Sequence, residues 1–155
     1  FFLKSPASPC IYPLSLPDAR PVLSQEGLYA NLNRLADTLQ SIAGVRTVTM
    51  RPPGGFVSDG AKQNLAKKGV PAVLWSIDTL DWKTKNAQNT INVVLNSVKD
   101  GDIILMHDLY STSADAAAVL IPELKRRGYQ LVTVSEMASL RGGMTPGQEY
   151  HSFRP

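Results

Sequence analysis

Three short runs in this chain hold side chains that can move protons. Arg51-Pro52-Pro53-Gly54-Gly55 joins a cation to a rigid turn. Asp78-Thr79-Leu80-Asp81-Trp82 sets two carboxylates beside an indole. Ile104-Leu105-Met106 ends on His107-Asp108, an imidazole and a carboxylate. Histidine and aspartate together suit general acid–base work, because the imidazole changes charge near neutral pH and a neighbouring carboxylate favours its charged form.

Each residue alone also has a plain explanation. Arg51 can be a surface cation, and Pro52 to Gly55 only a turn. That turn lacks the Lys-Ser/Thr ending of a phosphate-binding loop. Asp78 can cap a loop through its side chain. Trp82 can be packing, His107 a satisfied histidine at the rim of a core, and Asp108 a turn residue. His151 sits in a Gly/Pro-rich tail and has no expected role. What favours chemistry is position, since each run directly follows a predicted strand.

The elements follow from hydrophobic spacing. Leu28, Leu32, Leu35, Leu39 and Ile42 recur every three or four residues and predict a helix over 28–43, closed by Gly44. Residues 47–50 read as a short strand and 51–57 as a loop. Ser58 or Asp59 can cap a helix that runs to Lys68. Residues 71–78 read as one buried strand, 86–99 as a helix, 102–107 as a strand, 113–127 as a helix and 131–134 as a last strand. Strands that alternate with helices predict an α/β fold with a parallel sheet, as a partial or distorted (β/α) barrel or a small open sheet. Residues collected at the C-terminal ends of such strands are where function resides in these folds.

Composition bounds the rest. At 155 residues the chain is about one domain. Hydrophobic residues make up 43%, too many for a disordered chain. No apolar run approaches the roughly 20 residues of a membrane helix. The net charge of +3 is mildly basic, and the tightest basic cluster, Lys125-Arg126-Arg127, suits a helix C-terminus. No nucleic-acid-binding motif occurs, so no nucleic-acid partner is expected. Cys10 is the single cysteine, which rules out an internal disulfide. No G-x-S-x-G elbow is present, which argues against a serine hydrolase. The first 27 residues hold five of the eleven prolines and read as an irregular segment. Three parts are therefore expected: 1–27 irregular and truncated or rearranged, 28–140 an α/β domain, and 141–155 a loose tail.

As an ordered set, RPPGG at 51–55, DTLDW at 78–82 and ILMHD at 104–108 resemble three of the five signature motifs of polysaccharide deacetylases. This is the NodB homology domain, carbohydrate esterase family 4. The likeness spans about residues 28–140 and implies a distorted (β/α) barrel. It implies metal-assisted removal of acetyl groups from N-acetylglucosamine residues of peptidoglycan, chitin or related glycans, with zinc the usual metal. By resemblance, His107 is the general acid, Asp81 tunes it, and Arg51 holds the catalytic base. Trp82 lines the sugar groove, Leu105 lines the acetyl pocket, and the Gly54 N–H stands at the oxyanion donor, where many members carry tyrosine. The resemblance also implies work outside the cytoplasm or at the cell wall, although no signal peptide is seen.

Two motifs of the family are missing. Its Thr-Phe-Asp-Asp run, which carries the base and one metal ligand, has no counterpart. Its His-x-x-x-His pair has none either, since the chain has two histidines, His107 and His151. The family's interval before Arg51 falls on Pro13 to Pro17, and proline cannot bind a metal through its side chain. Phe1-Phe2-Leu3 resembles the family's second strand, set too close to that region. Metal ligands are therefore expected from a missing N-terminal half or an oligomer partner, if at all. The alternative is a catalytically incomplete relic or glycan-binding module.

Overall fold

The computed structural model describes residues 25–155; the expectations for residues 1–24 lie outside them. Helix α1 (Gln25–Ala43) ends at Gly44, whose φ of +64° and N–H bond to the Gln40 carbonyl close it. A single 3-10 turn at Pro53–Gly55 follows the Arg51 strand end. Helix α2 (Asp59–Lys67) is capped by Ser58, whose hydroxyl accepts from the Ala61 N–H at 3.2 Å. Then come β1 (Ala72–Val73), β2 (Ile77–Asp78), α3 (Asp81–Thr84) and α4 (Ala87–Ser97). They are followed by β3 (Ile104–Leu105), α5 (Ser111–Arg126), α6 (Val134–Leu140) and β4 (Glu149–Tyr150).

The four helices expected from hydrophobic spacing are present, α3 and α6 are additional, and the expected strands and tail differ. The run at 47–50 shrinks to one parallel bridge, Met50 to Ala72. The expected strand at 71–78 is two strands, because its backbone donors change partners midway. The Leu74 N–H bonds the Tyr150 carbonyl, while those of Ser76 and Ile77 bond the Ile103 carbonyl. Residues 131–134 form no strand. Thr133 instead opens α6 with a reciprocal cap, its hydroxyl accepting from the Glu136 N–H while the Glu136 carboxylate accepts from the Thr133 N–H. The tail expected to be loose is tied down, with β4 paired to β1 and Phe153 buried.

The chain forms two compact units. Among the described residues, one takes 25–74 together with 144–150. Here α1 lies against α2, Leu65 and Val73 are fully buried, and β1 and β4 run parallel, Ala72 opposite Glu149. A cavity of about 40 Å³ lies among Leu32, Leu35, Met50, Leu65 and Val70. Lys62 Nζ meets Glu149 at 2.9 Å.

The other unit takes residues 75–143 and 151–155. Its core is the seam between α4 and α5, made by Ile91, Val94, Ala116, Leu120 and Leu124. Full burial of a leucine there is worth about 1.5–3 kcal/mol. Strands β2 and β3 run parallel, Ile77 opposite Ile104 and Asp78 opposite Leu105. Both strand pairs of the described chain are parallel, as an α/β fold requires.

Candidate active site

The β2–β3 pair brings two of the sequence motifs to one end. After Asp78, Thr79 is fully buried and donates its hydroxyl to the Leu105 carbonyl at 2.8 Å, which ties the end of one strand to the other. The Asp78 carboxylate accepts the Leu80 N–H at 3.0 Å, a local side-chain turn. Leu80 takes a left-handed conformation, φ +50°, which is costly for a leucine. That reversal starts α3 at Asp81.

Asp81 is 1% exposed and accepts four hydrogen bonds. Its Oδ1 takes the Trp82 N–H at 2.9 Å and stands 2.7 Å from His107 Nδ1. Its Oδ2 takes the His107 N–H at 2.7 Å and the Ser113 hydroxyl at 2.6 Å. Burial pushes this carboxyl up, but the bonds from Ser113 and His107 outweigh it and hold the group below the usual carboxylate range. Asp81 is therefore an anion that only accepts, and His107 Nδ1 must carry the shared proton. That leaves His107 Nε2 to exchange protons. It makes no hydrogen bond among the described residues, and the ring is 27% exposed.

Ser113 looks at first like the third member of a nucleophilic triad. Its hydroxyl points its proton at Asp81 and not at the imidazole, and the residue is 3% exposed. A buried hydroxyl that donates to a carboxylate is no nucleophile. Sequence reasoning missed Ser113; the signal was a hydroxyl in the first turn of the helix that follows His107.

The remaining site residues are placed as follows. Trp82 adjoins Asp81 and is 47% exposed. Leu105 is buried in β3, two residues before His107. Beside them Leu80 and Leu109 are exposed, and Lys85 Nζ lies 5.2 Å from the centre of the Tyr110 ring. Arg51 and Gly54 belong to the first unit. Arg51 is buried, and its Nε and Nη2 donate to the carbonyls of Val73 and Leu74, both at 3.2 Å. Gly54 lies in the 3-10 turn with φ +66°, exposed. His151 has its Nδ1 3.3 Å from the Trp75 carbonyl.

No protein-family model matches the sequence. Among curated proteins, the chain is 37% identical over 119 residues to the peptidoglycan-N-acetylmuramic acid deacetylase PdaC of Bacillus subtilis, covering 77% of this chain and 25% of that protein. It is 36% identical over 120 residues to the peptidoglycan-N-acetylglucosamine deacetylase PgdA of Listeria monocytogenes, covering 76% and 25%. The chain thus spans about a quarter of the length of these relatives. Among solved structures it superposes on a family 4 acetyl xylan esterase of Clostridium thermocellum, in complex with a cobalt ion, with a TM-score of 0.75. The identity there is 26%, over 87% of this chain and 67% of that one. The chain belongs to the polysaccharide deacetylases, carbohydrate esterase family 4.

Proposed function

We propose that this chain carries the general-acid side of a site that deacetylates N-acetylated glycans, with peptidoglycan the leading substrate. The observation that supports it is the buried Asp81 anion bound to Nδ1 of a partly exposed His107. Water adds to the amide carbonyl as it gives a proton to the catalytic base, and the resulting tetrahedral carbon expels the sugar nitrogen as the C–N bond breaks. A free amide anion is too basic to leave, so it needs a proton as it departs. His107 Nε2 supplies that proton, and Asp81 stabilises the imidazolium beforehand. The products are acetate and the free amino sugar, and solvent then reprotonates His107.

Roles for the other residues extend this reading. Exposed Trp82 offers an aromatic face to a sugar ring, and Leu105 backs the acetyl methyl. Arg51 holds the catalytic base, and the Gly54 N–H donates to the oxyanion. The architecture is part of a distorted (β/α) barrel, and the protein works outside the cytoplasm at the cell wall.

The resemblance also implies a divalent metal, zinc first. Among the described residues no group of three or more His, Cys, Asp or Glu side chains is placed to hold one, and His107 Nδ1 is already bound to Asp81. These residues do not fit a metal. Its ligands and the base are expected from a further segment or an oligomer partner.

One observation favours a second reading, glycan binding without turnover. The sequence contains no His-x-x-x-His pair and no Thr-Phe-Asp-Asp run. Acetate release from N-acetylated peptidoglycan fragments and chitin oligosaccharides, with and without added zinc, decides between them. Release that disappears in His107→Ala supports the acid. Release that survives that change overturns it. Binding that depends on Trp82, with no release under any condition, establishes the second reading.

A further inference from the structure

We propose that Ser113 is a positioning residue for the acid pair, and that its hydroxyl fixes how the Asp81 carboxylate faces His107. The inference rests on the acid role proposed above for His107.

The geometry is specific. A carboxylate can rotate about its own axis and exchange its two oxygens. Here Oδ2 is held by two donors from different parts of the chain, the His107 N–H and the Ser113 hydroxyl. Ser113 belongs to the first turn of α5, where its own N–H bonds the Tyr110 carbonyl at 3.0 Å. The helix, whose inner face is the Leu120 and Leu124 core, thus sets the hydroxyl rigidly. With Oδ2 pinned, Oδ1 is the oxygen that faces the imidazole, where it also takes the Trp82 N–H. The Ser113–Asp81 bond also draws charge from the carboxylate and favours its ionised form. Among the described residues, His107 is the one other titratable group bonded to Asp81. Ser113 is therefore the neutral side chain, beside the Trp82 and His107 backbone N–H groups, through which the carboxylate is adjusted without adding a charge.

The test is the acid titration of Asp81 itself, followed by carbon-13 NMR of labelled aspartate in the full chain. Wild type is compared with Ser113→Ala, Ser113→Cys and Ser113→Thr. The two variants without a hydroxyl are expected to move the Asp81 midpoint to higher pH, and threonine to restore the wild-type midpoint. Cysteine keeps the buried volume and carries the same expectation should alanine fail to fold. Midpoints in the Ala and Cys variants that coincide with wild type overturn the proposal. So does a threonine variant that titrates with alanine. None of these readings needs turnover. Absence of acetate release sinks the deacetylase reading and leaves the titration result standing, whereas an unmoved midpoint sinks the Ser113 role alone.

Discussion

Gly101 and Phe153 meet backbone to backbone. The Phe153 N–H donates to the Gly101 carbonyl at 2.7 Å, and a Cβ added to Gly101 would lie 2.3 Å from the Phe153 carbonyl oxygen. Gly101 also has φ +84°, which side-chain-bearing residues rarely adopt. Gly101→Ala is therefore expected to destabilise the protein by about 2–4 kcal/mol, because backbone and not a flexible side chain must give way. Urea unfolding measures it, and a change below about 0.5 kcal/mol would show that the contact is not tight.

The acid pair makes a kinetic prediction. His107→Ala should lower acetate release by about a hundredfold or more, the scale of a lost general acid. Asp81→Asn should lower it too, since a neutral amide neither stabilises the imidazolium nor fixes its tautomer. Rates at saturating glycan test this, and an Asn variant as fast as wild type would remove Asp81 from the chemistry.

Asp81 also couples stability to pH. Its folded carboxyl is held below the ordinary 3.8 by Ser113 and His107 against the opposing effect of burial. A depressed folded value means that the folded state binds the proton less readily than the unfolded chain. The stabilisation is complete above about 3.8 and is lost as pH falls through the lower folded value. Asp102 is shifted the same way; burial opposes the shift, and Arg154, the Lys99 N–H and Ser76 outweigh it. The urea midpoint is expected to fall on acidification below about pH 4 and to fall less steeply in Asp81→Asn. Equal slopes in the two proteins would dissociate Asp81 from acid unfolding.

The cap on α6 can be tested directly. Thr133→Ala removes the acceptor for the Glu136 N–H and the partner of the Glu136 carboxylate. A loss of about 1 kcal/mol is expected. Thermal unfolding reads it, and an unchanged midpoint would mean that the cap forms no part of the cooperative unit.

The same residues show what the sequence made legible. Helices were readable because spacing and caps are local, as at Ser58 with Ala61. The Asp81–His107 pairing was legible through family motifs, although 26 residues separate the two in sequence. Leu131 to Val134 misled because an apolar β-branched run also carried Thr133 three residues before Glu136, and the local cap won. Glu149 and Tyr150 lie in a Gly/Pro-rich tail with no strand pattern, so their pairing depends on β1, far away in sequence. Ser113 carried only a local hint, a hydroxyl in the first turn of the helix after His107, because the fold is what brings it to Asp81.

The β1–β4 pair also bears on how the chain is made. Ala72 and Val73 need Glu149 and Tyr150 as hydrogen-bonding neighbours, and the Gly147 N–H closes onto the Val70 carbonyl. During synthesis the first unit must therefore wait, with the inner edge of β1 unsatisfied, until residue 150 has cleared the ribosome. The segment 75–143 has by then emerged with its α4–α5 seam complete. The α4–α5 seam can thus pack early, but the second unit also waits for 151–155, whose Phe153 is buried and bonded to Gly101, and meanwhile β1 stays open to chaperones or to pairing with a neighbouring nascent chain.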